Sequence, residues 1–312
     1  MRAYAGLIAL VVLLAPACSD PGRAPTTAAP APSSGHPRER SQQTPGTQPA
    51  APILTAPSDL ATALTHLDRR LRKDVLRWRA EGAGFGSRLA PPVSIESLRQ
   101  QEIYRYLAGQ PAIARQVAHR VGPQVKQEMG VNLGAARDLN SLVSPVQRIP
   151  NYQFAPPVAP DRLRQLFVEA QGRYGVPWSV LAAINFVESK FGRILGPSSS
   201  GALGPMQFLP STFALYGEGN IKDPRDSILA AANYLHSSGA PDRLRPALFA
   251  YNRARAYVDA ILRYARQMRS NRWSFWVYYD YQVFVSTTRG SVRLTGPGTA
   301  HPDHTPGRPA PT

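Results

Sequence analysis

Between residues 160 and 268, apolar residues recur every three to four positions, and no run alternates with the period of two that a half-buried strand requires. Five segments carry the helical pattern: 161–174, 177–191, 224–237, 244–251 and 254–268. A chain built this way buries its apolar stripes by packing helix on helix, so the expected fold class is mainly α. Residues 57–140 continue the helical pattern, with Ser58 and Asp59 placed to cap a segment through Arg79 and Ser94 placed to open another. One stretch departs from it. "WVYYDYQVFVSTTRGSVRLTG" alternates β-formers around Arg289–Gly290, which predicts a short C-terminal hairpin.

Proline sets the outer limits of the folded part. Many of the 31 prolines crowd into residues 21–57 and 297–311, where too little apolar surface exists to offset chain ordering. "MRAYAGLIALVVLLAPAC" pairs Arg2 with a compact apolar run and small residues at Ala15 and Ala17, which reads as an export signal. Cys18 is the single cysteine, so an exported chain has no internal disulfide. Its place directly after the apolar run leaves two readings open: attachment of a lipid at Cys18, or plain cleavage near Ala17. The expected organisation is a signal at 1–18, a disordered linker at 19–56 and a helical pre-domain at 57–150. A catalytic domain at 151–270, an aromatic segment with the hairpin at 271–296 and a disordered tail at 297–312 complete it. At ~3.1 Å per residue the linker reaches on the order of 100 Å, which suits an anchored protein working on a distant polymer.

The net charge of +16 points to anionic surroundings and is silent on fold. No helix-turn-helix, finger or RNA-binding signature accompanies it, so nucleic acid is not an expected partner. The runs "RRLRK", "RLR" and "RARA" read as solvated helix faces. The histidines show no metal-ligand spacing, and neither a metal nor another cofactor is expected.

Glu188 is the anomaly. It shares a helix face with Val180, Leu181, Ile184, Val187 and Phe191, where a carboxylate is costly unless neutral, paired or working. A helix that stops at Gly192 puts Glu188 in its last turn. The negative end of the dipole and the apolar neighbours both favour the protonated form there. That is the form that can protonate a leaving-group oxygen. The bland alternative is a carboxyl bonded to a neighbouring loop for structure alone. Asp223, Asp226, Asp242, Asp259 and Glu218 each have a capping, surface or loop explanation.

Three further stretches accompany Glu188. They are "SSSGALGPMQFLPSTF" at 198–213, the helix "DPRDSILAAANYL" and the turn "ALFAYNRARAYV" at 247–258. With "ESKFG" they resemble, in order, the lytic transglycosylases of the goose-type lysozyme fold, most nearly the membrane-bound lytic murein transglycosylase B group. The resemblance covers about residues 161–268. It implies a lysozyme-like helical domain cutting the β-1,4 bond between N-acetylmuramic acid and N-acetylglucosamine in peptidoglycan, and leaving 1,6-anhydro ends. It also implies roles: Glu188 as the single acid and later base, with Ser198, Gly201, Met206, Gln207, Phe208, Tyr251, Asn252 and Tyr257 lining the glycan cleft. Pro205 departs from the family's looser loop. The partner implied is the glycan strand, with the membrane reached through a lipid on Cys18, and the chain is expected to act as a monomer in the cell envelope. Two alternatives remain: a hydrolytic muramidase on the same fold, and a non-catalytic wall-binding protein. Trp273, Phe275 and Trp276 read as a packed patch in preference to a sugar-stacking surface.

Overall fold

The computed structural model describes residues 54–81, 91–271, 273–295, 298–299 and 301–302. The signal, Cys18, nearly all of the linker and most of the tail lie outside them. Eleven helices are present among the described residues: α1 (Pro57–Ala80), α2 (Pro91–Ala108), α3 (Pro111–Ala118), α4 (Pro123–Asn140), α5 (Pro160–Tyr174), α6 (Trp178–Ser189), α7 (Pro210–Tyr216), α8 (Pro224–Ser237), α9 (Leu244–Tyr251), α10 (Arg255–Ser270) and α11 (Ser274–Asp280). The short strands are β1 (Gln153–Phe154), β2 (Val283–Thr287), β3 (Gly290–Thr295), β4 (Gly298–Thr299) and β5 (His301–Pro302). The architecture is mainly helical, as expected.

Helix starts are set by proline more than by side-chain caps. Seven helices among the described residues have Pro in the first two positions, where the missing N–H costs nothing. The capping expected of Ser58 and Asp59 is corrected accordingly. Ala56 is the N-cap, Pro57 opens α1, and the Ser58 hydroxyl donates to Asp59 at 3.1 Å. Likewise α2 is already helical from Pro91, three residues before Ser94. Asp223 does cap α8, its Oδ1 accepting from the backbone N–H of Arg225 at 2.8 Å and of Asp226 at 3.0 Å.

α6 is the central helix. Every residue from Ser179 to Ser189 is buried, and α5, α8, α10 and α11 pack around it. Leu71, Val75 and Trp78 of α1, Val93 of α2 and Ala135 of α4 join that same core. The N-terminal helices also hold a smaller core of their own, built on Leu60, Leu64, Leu107 and Met129. They therefore pack on α10 and α11, which flank the central helix, as well as on each other.

The hairpin is present as β2 and β3, antiparallel with Val283 opposite Leu294 and Thr287 opposite Gly290. Its two-residue turn is Thr288–Arg289, one residue earlier than the sequence pattern centres it. The preceding aromatic segment is the helix α11. Phe275 and Trp276 are buried in it, so the packed patch is the observed arrangement. Phe275 meets the rings of Phe167, Trp178 and Phe191 edge-on.

A carboxyl group ties α4 to the end of α10. Glu128 is buried; its Oε1 accepts from Asn271 Nδ2 at 2.5 Å and from Gln124 Nε2 at 3.5 Å. Gln124 also bonds Asp68 of α1 at 3.2 Å. Burial first, and then the negative charge of Asp68, push the Glu128 carboxyl up to about 8. This lies above its unfolded value of about 4.3, so the folded state binds the extra proton between the two. The stability contributed is full below the unfolded value and is lost as pH rises towards 8. The urea midpoint should fall between pH 5 and pH 8, by on the order of 2 kcal/mol in unfolding free energy. Glu128→Gln should flatten that slope.

Candidate active site

The last turn of α6 carries Glu188, and its geometry begins with how the helix ends. α6 stops at Ser189, two residues before the segment expected from the sequence. Lys190 takes the left-handed conformation (φ 52°), followed by Phe191 (φ 60°) and Gly192 (φ 84°). Two consecutive non-glycine residues at positive φ are strained and need outside support. The support is visible. Phe191 is buried against Phe186 and Phe275, and the Ser189 hydroxyl accepts from the Gly192 N–H at 2.8 Å.

The same turn fixes the loop that follows. Asn185 Nδ2 donates to the Pro205 carbonyl at 2.7 Å, and Ser189 Oγ donates to it at 2.6 Å. From the other side, Tyr251 at the end of α9 donates its hydroxyl to the Met206 carbonyl at 2.6 Å. The loop's own turn is closed by the Leu203–Phe208 backbone pair and by Gln207, which is left-handed (φ 52°). Gly204 (φ 74°) passes so close to Ile221 that a Cβ would lie 1.9 Å from its carbonyl oxygen. Only glycine fits.

Glu188 lies wholly buried among these elements (0% exposed). Tyr257, in the first turn of α10 and also fully buried, donates its hydroxyl to Glu188 Oε1 at 2.7 Å. Burial first, and then the negative charge of Glu188, hold the phenols of Tyr257 and Tyr251 well above their usual range. Both therefore remain donors at any physiological pH. Lys190 is partly buried over the Phe186 ring. Burial and the charges of Arg105 and Arg193 lower it to about 7, against a smaller opposing pull from Glu188.

The structure brings Glu188, Tyr257, Tyr251 and the backbone of Met206 together. It uses the other expected residues differently. Met206 and Phe208 are fully buried, and Phe208 packs on Phe213, Tyr234 and Tyr251. Their side chains belong to the core. Ser198 is engaged in its own loop, its hydroxyl accepting from the N–H groups of Ala202 at 3.0 Å and Ser200 at 3.3 Å. Gly201 is exposed beside it. Gln207 donates Nε2 to the Gly204 carbonyl at 3.0 Å, while its buried Oε1 has no partner among the described residues. Asn252 is buried at the C-cap of α9. Asn185, Ser189 and Lys190 are the site residues that sequence reasoning missed. Asn185 and Ser189 are polar residues inside a buried helix, one turn apart, and that was the available signal.

Several other acids of this region are occupied elsewhere. Glu169 pairs with Arg225, Asp259 with Arg245, and Asp161 accepts from the Trp276 indole. Asp226 accepts from the Asn220 N–H at 2.9 Å. Among the described residues, no group of three or more His, Cys, Asp or Glu side chains converges as a metal site would require.

Residues 165–273 match the family described as "Transglycosylase SLT domain". The match runs from α5 to the threshold of α11 and contains Glu188, the loop and Tyr257, so the site lies wholly within the matched segment. Among curated proteins, the chain is similar to "Membrane-bound lytic murein transglycosylase F" of Thiobacillus denitrificans. The identity is 35% over 122 residues, covering 36% of this chain and 26% of that protein. "Membrane-bound lytic murein transglycosylase F 1" of Alkalilimnicola ehrlichii is 31% identical over 147 residues, covering 42% and 30%. The Methylobacillus flagellatus protein of the F name is 32% identical over 120 residues, covering 35% and 25%. The chain spans about a quarter to a third of the length of these relatives. No solved structure matches it significantly. The relatives carry the F name, so the nearness to the B group expected from the motifs is not supported, although the broader family is.

Two variants test the construction. Gly204→Ala should destabilise the fold by about 2 kcal/mol or more, because backbone strain and a carbonyl clash coincide; thermal unfolding will show it. Tyr257→Phe should cost about 1–3 kcal/mol if the buried carboxyl loses its donor without replacement. An unchanged melting temperature would show that the 2.7 Å bond carries no weight.

Proposed function

We propose that this chain is a peptidoglycan lytic transglycosylase, cutting the β-1,4 bond between N-acetylmuramic acid and N-acetylglucosamine with Glu188 as the only catalytic carboxyl. The observation that carries the reading is the wholly buried Glu188, held by a tyrosine hydroxyl at the carbonyl end of α6 inside the matched domain. Burial and the helix terminus both favour its neutral form, which is what a general acid needs.

Glu188 gives its proton to the glycosidic oxygen as the C1–O bond breaks and the N-acetylglucosamine side leaves as an alcohol. The positive charge growing at C1 is met by the substrate's own N-acetyl oxygen. The muramoyl 6-hydroxyl then attacks C1, and its proton returns to Glu188. The ring closes as a 1,6-anhydro sugar, with neither water nor an enzyme nucleophile consumed. Most glycosidases use two carboxyls; here Asp223 caps a helix while Glu169 and Asp259 sit in ion pairs. The partnerless Gln207 Oε1 supports a role in receiving a substrate N–H, since a buried acceptor left unbonded is costly. Glu188 is sealed from solvent, so substrate reaches it only when the side chains over it shift.

The relatives' names include "membrane-bound", and we place the chain in the cell envelope, anchored through Cys18 or released after cleavage. No helix among the described residues is long and apolar enough to cross a membrane. Glu188→Gln should lower glycan cleavage by about 10²–10⁴-fold while leaving the melting temperature near that of the parent. Products from purified peptidoglycan should lack a reducing end and resist borohydride. Reducible ends would instead show a hydrolytic muramidase, and an active Glu188→Gln would remove the enzymatic assignment of this residue.

A further inference from the structure

A cavity of about 220 Å³ opens on the flank of α6. Its walls come from α2, α4, the connection at 143–146, α10, the end of α6 and strand β2. Phe186 and Val187 of α6 line it, and so does Lys190, so it adjoins the turn that holds Glu188. Its lining contains two basic side chains, Arg105 and Lys190, and no aspartate or glutamate. Gln101, Asn132, Asn140 and Ser144 add amide and hydroxyl groups.

Both basic groups are held in place. Arg105 lies 4.5 Å above the Phe284 ring and donates to Ser291 Oγ at 2.5 Å. Lys190 Nζ lies 4.2 Å above the Phe186 ring and donates to the Phe186 carbonyl at 3.2 Å. A guanidinium restrained by an aromatic face and a hydroxyl loses little freedom when it meets an anion. The cavity is smaller than the ~300–1,000 Å³ that encloses a whole drug-sized ligand, so it takes one end of a longer molecule. A fixed guanidinium among amides, with Lys190 beside it as a further donor, suits a carboxylate on an amide-bearing group.

We propose that this cavity binds the carboxylate-bearing substituent of the glycan substrate, with Arg105 as the specificity-determining cation. The ligand identity rests on the transglycosylase reading; the carboxylate preference does not. Two sources carry the same chemistry: the free end of a peptide attached to the glycan, and the lactyl carboxylate of a muramoyl residue without peptide. In either case, residues of the N-terminal helices and the hairpin set which substituents are accepted beside the cut.

Calorimetric titration of the purified full chain tests this with two matched pairs of probes. One is N-acetyl-alanyl-alanine against its C-terminal amide; the other is N-acetylmuramic acid against N-acetylglucosamine. The acid of one pair should bind about tenfold or more tightly than its neutral partner, as expected for a charge-assisted hydrogen bond. The pair that discriminates identifies the source. Arg105→Gln should abolish the preference and Arg105→Lys should restore part of it. Glu188→Gln should leave it intact, which separates this site from the catalytic one. If Arg105→Gln does not fold, the parent's preference should still decline as salt rises from 50 to 500 mM. Equal binding of acid and neutral probes by the parent, or a preference that survives in folded Arg105→Gln, overturns the proposal and leaves the transglycosylase reading standing.

Discussion

The Pro205 carbonyl accepts hydrogen bonds from both Asn185 and Ser189 of α6, at 2.7 and 2.6 Å. It binds the loop to the helix that carries the acid. Met206, next along the chain, is held by Tyr251 from α9. A buried carbonyl that takes two donors is well satisfied, and the donors would be costly to leave unmade. The consequence is positional. Glu188 lies between Asn185 and Ser189 on the helix, so the turn that anchors the loop also sets the direction of the carboxyl. The left-handed Lys190 and Phe191 follow from the same constraint. The chain must leave the helix sharply to let Ser189 reach both the loop carbonyl and the Gly192 N–H.

Some of this was legible from residue order alone. Glu188 stood out because a carboxyl interrupts an apolar stripe, and the helices of residues 160–268 followed from their period. The hairpin followed from alternation, with its turn displaced by one residue. What escaped had specific causes. Helix α7 lies inside a stretch punctuated by Gly and Pro, and α11 is so aromatic that it resembles strand. The early end of α6 could not be read, because positive φ is expected at glycine and not at lysine or phenylalanine. Met206 and Phe208 carry the family pattern, yet their side chains build the core beneath the loop. The bond from Asn271 to Glu128 joins residues 143 positions apart. No local pattern reports such a pairing.

The surplus of positive charge is accommodated in an uncommon way. With 36 Lys and Arg against 20 Asp and Glu, carboxylates cannot partner every cation. Aromatic faces take some of them. Arg164 sits 3.5 Å above Trp178, Arg79 lies 4.2 Å above Trp276, and Arg72 lies 5.1 Å above Trp273. Burial and the neighbouring Arg79 lower Arg164 to about 10. Such stacks hold guanidiniums without neutralising them, so the molecule keeps a positive field that attracts anionic polymers.

In the reaction we propose, Glu188 acts first as acid and later as base, so it has to be tolerable in both protonation states. Tyr257 supplies that tolerance. Its proton is held firmly, so it is always a donor to Glu188 Oε1. In that reaction Glu188 begins neutral, with this bond received at Oε1. Once the Glu188 proton has gone, the same bond stabilises the new carboxylate, which is otherwise disfavoured by burial and the helix terminus. The group thus becomes neither too strong a base to release its proton nor too weak a one to recover it. An acid with the role proposed for Glu188 requires a neutral donor. A cation in the place of Tyr257 would favour the carboxylate from the start, and the chemistry would have no acid to begin with.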